Sequence, residues 1–465
     1  MTSNKEKQPK NTHGNSSVRE VALLILYQIN QQGAYANLAL DKSLQRSSLP
    51  LHDRNLVTEL VNGTVRMQKH LDWVLALFLQ GRLEKQNHWF LNILRLSVYQ
   101  LLFMDHIPAY ACINEAVNLT RQRVNSSMAK VVNGVLRNLV RQKDTLAYPP
   151  SHEPAYLATY YSHPDWVVEY YLHEYGWDKT KLILEYNNQR PGLEFRCNLL
   201  RISPEELVQR LQDEGVSSSM SPLMQGAIII QSLSVPLSGL KAYQQGLFYV
   251  QNQASMLAGP LLDPQPGEKV IDLCAGVGGK STHLAEMMKD QGTLLAFDLY
   301  PKKLELLAQN ADRLGITMIH TEAADATQLN YAEGVADRIL LDAPCTGLGV
   351  LNRRSDARWH KHPEDLPALL DIQKALLDQA AHLVKKDGLI LYSTCSTLSQ
   401  ENQEQVEAFL QRHHDFQLES ISDQLHCFPL NTEDREKAKL GMLLLIPGRY
   451  GTDGMFYALL RRTTG

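Results

Sequence analysis

Apolar residues recur at helical spacing from Val18 to about Arg141. Val21, Leu24, Ile25 and Ile29 share one stripe, Leu56, Leu60, Val61 and Val65 a second, and Leu91, Leu94, Val98, Leu101 and Leu102 a third. Gly and Pro rarely interrupt this run outside Leu49-Pro50 and Ile107-Pro108, so residues 16–145 are expected to form an all-helical domain of six or seven helices. Residues 1–15 are polar and aperiodic, which predicts a disordered tail. Pro149, Pro150, Pro154 and Pro164, with Ser and His between them, give 146–164 the composition of a linker.

The pattern then changes. Residues 165–265 mix helical signals at Trp166–Glu174 and Lys179–Tyr186 with strand-like runs at Leu193–Leu200, Ala227–Gln231 and Gly246–Gln251. Ser203-Pro204-Glu205-Glu206 carries a helix start, with Ser as cap, Pro at the first position and Glu206 placed for a capping box. This is a small α+β subdomain. Residues 266–465 alternate strand and helix: strands at Lys269–Leu273, Thr293–Phe297, Met318–His320, Arg338–Leu341 and Gly388–Tyr392, helices at Lys280–Lys289, Pro301–Leu314, Pro363–Val384 and Gln400–Arg412, and a last strand at Phe456–Leu460. Such alternation predicts an α/β domain with a doubly wound, Rossmann-like sheet.

Composition narrows the class. The 465 residues contain no apolar run of membrane-spanning length and the N-terminus is polar, so a soluble, cytoplasmic protein is expected. Six cysteines, Cys112, Cys197, Cys274, Cys345, Cys395 and Cys427, stand far apart without a C-x-x-C pair, which argues against a disulfide framework or a structural zinc and for reduced thiols. The net charge of -4 hides an asymmetry: residues 1–150 hold 18 Lys+Arg against 10 Asp+Glu. Arg121, Arg123, Lys130, Arg137, Arg141 and Lys143 lie in a stretch with no acid between Glu115 and Asp144. A face of that kind suits phosphate contacts, although solvated helix surfaces have the same composition.

Candidate chemistry sits at strand ends. In Arg338-Ile339-Leu340-Leu341-Asp342-Ala343-Pro344-Cys345-Thr346-Gly347-Leu348-Gly349-Val350, a buried strand meets an acid, a proline, a thiol and two glycines, where no regular element continues. Ligands of open parallel sheets bind at such exits, so Asp342 and Cys345 are site candidates; the plain alternative is a turn-forming Asp beside a buried thiol. Leu391-Tyr392-Ser393-Thr394-Cys395-Ser396-Thr397 repeats the logic, with Cys395 at a second exit. A thiolate is the strongest side-chain nucleophile near neutral pH once its pKa is lowered.

Asp272 ends another strand and leads into Cys274-Ala275-Gly276-Val277-Gly278-Gly279-Lys280, a glycine turn that opens a helix. Its exposed amides favour an anionic group, and the spacing is not that of a phosphate-binding P-loop, because Cys274 stands where the first glycine must be. Asp298 ends the next strand, where an acid holds ribose hydroxyls, and Asp325 ends the third, near where an adenine amine would lie. Each acid alone is an ordinary turn-former. The ordered set describes an adenosine pocket.

These residues resemble the RNA cytosine-C5 methyltransferases, and most nearly the bacterial 16S rRNA family known as RsmB (Fmu or Sun). Asp272–Lys280 matches that family's D-x-C-A-x-P-G-G-K turn, Asp342–Gly349 its D-A-P-C-S-G-x-G turn, and Thr394-Cys395-Ser396 its T-C-S exit. Val18–Arg141 looks like its helical NusB-like RNA-binding domain, and Asp453-Gly454-Met455-Phe456-Tyr457 is similar to its closing strand. The resemblance implies a class I methyltransferase sheet with S-adenosyl-L-methionine held by Cys274, Ala275, Gly276, Val277, Gly278, Gly279, Lys280, Asp298, Asp325 and Asp342. It also implies Cys395 as nucleophile towards C6 of the base, Asp342 stabilising the ring proton, Cys345 assisting release, and 16S rRNA or a small-subunit precursor as partner; no oligomer is implied, and a monomer is expected. The chain departs from the family at Gly276-Val277, where Ala-Pro is usual, so a looser turn is expected; and at Asn252-Gln253, where acids are usual. A tRNA-directed relative shares the catalytic half, and a non-catalytic assembly factor would share the fold but has no use for the two thiols.

Overall fold

A computed structural model describes residues 17–463 apart from 234 and 427; the expected tail over 1–15 and Cys427 lie outside the described residues. The chain divides into two units, Met1–Tyr170 with Arg354–Asp356, and Tyr171–Arg353 with Ala357–Gly465.

The first unit is helical, as its periodicity predicts. Helices run at Val18–Gln32, Ala36–Gln45, Leu51–Arg66, Gln68–Phe78, His88–Phe103, Ala109–Arg123 and Ser126–Gln142. Ser17, Asn87 and Asn125 cap three of them by accepting N–H bonds from the first turn. Gly63 lets Leu51–Arg66 approach His88–Phe103 closely, because a Cβ there would lie 2.0 Å from the Tyr99 ring. Ser126–Gln142 buries Ala129, Val132, Val135, Leu136 and Leu139 on one face. The other face exposes Lys130, Arg137 and Arg141 with no acid on the helix. Arg123 is not part of that face: it pairs with Glu20 at 2.5 Å and lies over the Trp89 ring.

The proline-rich stretch 146–164 does not behave as a linker. Pro154–Tyr160 is a helix with Leu157, Ala158 and Thr159 buried, and Tyr148 stacks on Trp73 with ring centroids 4.5 Å apart. Pro154 takes the first helical position, where its missing N–H costs nothing, so the proline that suggested a linker starts an element instead.

The second unit carries two sheets. The small one is antiparallel, in the order β2-β3-β1-β4, from Leu193–Cys197 (β1), Ser217–Met220 (β2), Ala227–Ser232 (β3) and Phe248–Val250 (β4). The two helical signals before it form one element, Asp165–Asn188, kinked at Gly176 with φ 69°. Helix Pro204–Asp213 begins with the expected capping box of Ser203 and Glu206. Strand β2 is the edge and mostly exposed, and its serines hide it from a pattern that seeks alternating apolar residues.

The large sheet has Lys269–Asp272 (β5), Thr293–Asp298 (β6), Ile319–Ala323 (β7), Ala336–Asp342 (β8), Val384–Thr394 (β9), Phe416–Leu418 (β10), Met442–Leu445 (β11) and Met455–Arg462 (β12). Its order is β10-β12-β9-β8-β5-β6-β7, with β11 pairing off this path to β12. The five strands from β7 to β9 are parallel, while β10, β11 and β12 pair antiparallel. Apolar cores cover both faces, which is why the central strands read as unbroken apolar runs: Val270, Leu340 and Leu391 point to one face, Ile271, Leu341 and Tyr392 to the other. The winding reverses between β5 and β8, so the crevice beyond their carboxyl ends is where a ligand site belongs. Among the described residues no helix is long and apolar enough to cross a membrane.

Removing the Ser203 hydroxyl is expected to cost helix Pro204–Asp213 about 1 kcal/mol, an about fivefold rise in local opening. Hydrogen exchange of the peptide covering residues 203–214 in Ser203→Ala checks this; unchanged exchange would mean that the box contributes nothing.

Candidate active site

The carboxyl ends of β5, β6, β8 and β9 deliver Asp272, Asp298, Asp342 and Cys395 to one edge of the sheet. Parallel pairing aligns Asp342 with Ser393, so Cys345 and Cys395 leave adjacent strands at the same level. Their sulfurs are 3.3 Å apart and both residues are half-buried. Hydrogen bonding to Cys395, followed by burial, pushes the Cys345 thiol well above its ordinary value.

Asp342 sits between this pair and the glycine turn. Lys280 Nζ donates to its Oδ2 at 2.6 Å and Ser393 Oγ to its Oδ1 at 2.8 Å. Lys280 comes from the first turn of helix Gly279–Met287, so the glycine turn and the first thiol strand meet through one ion pair. Gly349 allows a second close approach: its N–H donates to the Cys395 carbonyl at 2.9 Å and its carbonyl accepts from Gly454 N–H at 2.7 Å. A Cβ at Gly349 would lie 2.4 Å from Gly454 O, so the final glycine of the thiol turn is required by packing.

Asp272 is buried and accepts from Ser281 Oγ at 2.7 Å and Cys274 N–H at 3.2 Å. Burial pushes its carboxyl up to about 7, against the lowering effect of the Ser281 bond. Asp298, 6% exposed, accepts from Gly276 N–H at 3.1 Å, Tyr300 N–H at 2.9 Å and Lys303 Nζ at 3.2 Å. Gly276 has φ 57° with open space where a Cβ would be, and Gly278 has φ 91° with Leu307 2.6 Å from a Cβ position. The glycine that replaces the family's Ala therefore serves a left-handed position. Exposed Val277, Leu299 and Tyr300 give this end of the site an apolar rim.

Cys274 and Ala275 lie inside the turn, where Ala275 N–H donates to the Phe297 carbonyl at 2.8 Å and burial raises the Cys274 thiol. Asp325 stands apart: it is exposed, and Thr327 donates to it through both its backbone N–H and its hydroxyl, the arrangement of a turn-former. At the second departure from the family, Asn252 caps helix Gln253–Met256, and Gln253 donates to Glu194 at 2.7 Å. An acid at 253 would face the Glu194 carboxylate, whereas the amide satisfies it.

Several neighbours escape sequence reasoning. Buried Glu401 accepts from residues on both thiol turns. Tyr171 and Tyr175 hold Thr397, through its hydroxyl at 3.0 Å and its carbonyl at 2.5 Å. Buried Arg196 of β1 donates to Glu286, Thr282 and the Gly279 carbonyl, fixing the helix that follows the glycine turn. The E-N pair six residues beyond Cys395 is the only local signal for Glu401; nothing local marks the others.

Comparison with known proteins identifies related chains over nearly the whole length. The family model described as 16S rRNA methyltransferase RsmB/F matches residues 260–461, the NusB family model residues 16–141, and a ferredoxin-like domain model of RsmF/B-like methyltransferases residues 163–236. A Bacillus subtilis (strain 168) protein named "Probable ribosomal RNA small subunit methyltransferase B" is 36% identical over 450 residues, covering 96% of this chain and 99% of that one. A Shewanella oneidensis ribosomal RNA small subunit methyltransferase B is 32% identical over 452 residues, covering 96% and 100%. Among solved structures, one described as PH0851 aligns with TM-score 0.78 and 27% identity over 95% of this chain and 97% of that one. A methyltransferase homologue from Pyrococcus horikoshii aligns with TM-score 0.55 and 27% identity over 66% and 97%.

The raised Asp272 carboxyl has a pH signature. Because its folded value exceeds the unfolded one, the stability it contributes is complete below about 4 and is lost as pH rises through about 7. Between pH 5 and 8 the wild-type melting temperature is expected to fall relative to that of Asp272→Asn, which has no proton to lose; parallel profiles would place the ionisation elsewhere.

Proposed function

Because the chain belongs to the RsmB/F family of 16S rRNA methyltransferases and its cofactor is S-adenosylmethionine, we propose that it methylates C5 of a cytosine in 16S rRNA or a small-subunit precursor, in the cytoplasm, through a covalent Cys395 adduct. The observation that carries this reading is the thiol pair. Two sulfurs 3.3 Å apart at adjacent strand exits, beside Asp342, provide a nucleophile and a second thiol in contact with it where a flipped pyrimidine ring would lie.

The residues around the glycine turn fit the cofactor. Open space at Gly276, the exposed amides at the start of helix Gly279–Met287, the carboxylate of Asp298 and the apolar rim of Val277, Leu299 and Tyr300 suit an amino-acid carboxylate, a ribose and a flat purine. Cys274, Ala275, Gly278, Gly279 and Lys280 shape the turn, whereas Asp325, exposed and bound to Thr327, contributes as a turn-former apart from it. The cofactor supplies an electrophilic methyl group on a sulfonium.

The protein's task is to make cytosine C5 nucleophilic. Cys395 Sγ bonds to C6, and the C5–C6 π pair becomes available at C5. Asp342, oriented by Lys280 and Ser393, stabilises the proton acquired at N3 of the ring. Once C5 is methylated, its proton passes to water, the C5–C6 double bond re-forms as the S–C6 bond breaks, Cys395 departs with its electron pair, and N3 gives back the proton it took up. Cys345, in contact with that sulfur, assists the departure. Lys130, Arg137 and Arg141 of the helical unit contribute phosphate contacts.

Cys395→Ala is expected to abolish methyl transfer to rRNA while leaving cofactor binding by calorimetry unchanged; turnover by this variant would refute the nucleophile assignment. Cys345→Ala is expected to accumulate a covalent RNA adduct, seen as a slow band on a denaturing gel, and absence of that band would remove its release role. Bisulfite mapping of rRNA modified in vitro tests the base and the atom. Charge reversal at Lys130, Arg137 and Arg141 together should weaken RNA binding and flatten its salt dependence by up to about 0.7–0.9 for each phosphate no longer neutralised; an unaltered slope would mark the face as ordinary solvated surface.

A further inference from the structure

Parallel pairing brings β8 and β9 side by side, but β8 ends at Asp342 and β9 at Thr394, before either thiol. The sheet alone therefore does not set the separation of the two sulfurs. Beyond the strands both turns are irregular, and Gly347 adopts φ 76°. The turns touch directly, through Gly349 N–H on the Cys395 carbonyl at 2.9 Å and Thr346 Oγ1 3.0 Å from Ser396 Oγ, and Glu401, whose side chain is fully buried, bridges them at the residues next to the thiols. Thr346 N–H donates to its Oε1 at 2.9 Å and Gln373 Nε2 to the same oxygen at 3.0 Å. Thr346 Oγ1 donates to Oε2 at 2.5 Å, and Ser396 Oγ donates to Oε2 as well.

Thr346 directly follows Cys345 and Ser396 directly follows Cys395. One carboxylate thus receives a hydrogen bond from the residue next to each thiol. Its own backbone is fixed in turn: the Glu401 carbonyl accepts from Tyr392 Oη at 2.6 Å, and Asn402 Nδ2 donates to the Ser396 carbonyl at 3.1 Å. We propose that Glu401 is a positioning residue that clamps the two thiol turns together and so holds Cys345 and Cys395 in sulfur contact. The proposal rests on the roles given to the two thiols under Proposed function.

Burying a carboxylate is expensive unless donors satisfy it, and an apolar side chain would fill the space at lower cost. The geometry shows what the carboxylate adds: it accepts bonds at both oxygens, so four donors from three segments share one anchor. The effect runs through Thr346 and Ser396, the neighbours of the two thiols. A displacement of about 1 Å at a reacting group costs on the order of 100-fold in rate. Loosening either turn is therefore expected to act on turnover and leave the glycine turn undisturbed.

A thiol oxidant reads the sulfur contact directly, without methylation. With the full-length protein, diamide should join Cys345 and Cys395 rapidly, measured by mass spectrometry of the linked peptides. In Glu401→Ala this joining should slow, and kcat should fall about 100-fold, with KM for the cofactor and affinity for S-adenosylhomocysteine unchanged. In Glu401→Gln, whose carbonyl still accepts from the two N–H donors and whose amide faces two hydroxyls able to accept, both rates should stay close to wild type. Wild-type joining in a folded Glu401→Ala protein, or a Gln variant as impaired as Ala, would overturn the clamp. Should Glu401→Ala fail to fold, Thr346→Val removes a single hydroxyl donor; slowed joining supports the clamp and unchanged joining overturns it. Absence of cytosine-C5 methylation by the wild-type protein, with joining still dependent on Glu401, would overturn the functional reading alone.

Discussion

The parallel pairing of β8 with β9 is the constraint on which the site depends. Strands in a sheet are about 4.8 Å apart and side chains alternate across it, so two strands that end in step deliver their exit turns to one place. Asp342 opposite Ser393 fixes that step. A shift of one residue in either strand would turn its own core residue, Leu341 or Tyr392, out of their shared core and move one exit turn away from the other. The register that buries the core is thus the register that brings the two exit turns to one level, and bonds between those turns then set the separation of the sulfurs.

Four carboxylates around this edge have been given four environments. Asp272 is enclosed, and burial favours its protonated form. Asp298 is held by two backbone amides and a lysine, Asp342 by a lysine and a serine, and Glu401 by four donors with no lysine or arginine among them. Asp342, a third exposed and bound to the Lys280 ammonium, is the most open of the four. Asp272 and Glu401 are enclosed and hold turns in place, and Asp298 holds the glycine turn through Gly276 N–H. Residue type alone does not separate these tasks; the number and kind of donors does.

Much of this could be read from the chain, because strand exits announce themselves. Apolar runs that stop at an acid, a glycine turn or a thiol located β5, β6, β8 and β9 to within a few residues. The capping box at Ser203 was equally plain. The elements that escaped lacked a local signature. Short β10 and β11 pair with β12 and owe their conformation to that partner. The helix at Pro154–Tyr160 was masked by prolines that mark both helix starts and linkers. Glu401 carries no such mark: its stretch has the pattern of an ordinary helix, acids are rarely buried, and only the folded chain brings Thr346 to it across 55 residues.

Arg196 ties the small sheet to the large one. It leaves the small antiparallel sheet, buries itself against the Tyr249 ring, and donates to Glu286, Thr282 and the carbonyl of Gly279. Gly279 opens the helix whose next residue, Lys280, reaches Asp342. A continuous path of polar contacts therefore runs from the small sheet through the glycine turn to the acid beside the thiols. An apolar residue at 196 would leave Glu286 buried without its partner, a loss of about 3–5 kcal/mol for pairs of this kind. The small subdomain is thus more than an appended surface, because the turn beside the thiols takes one of its supports from it.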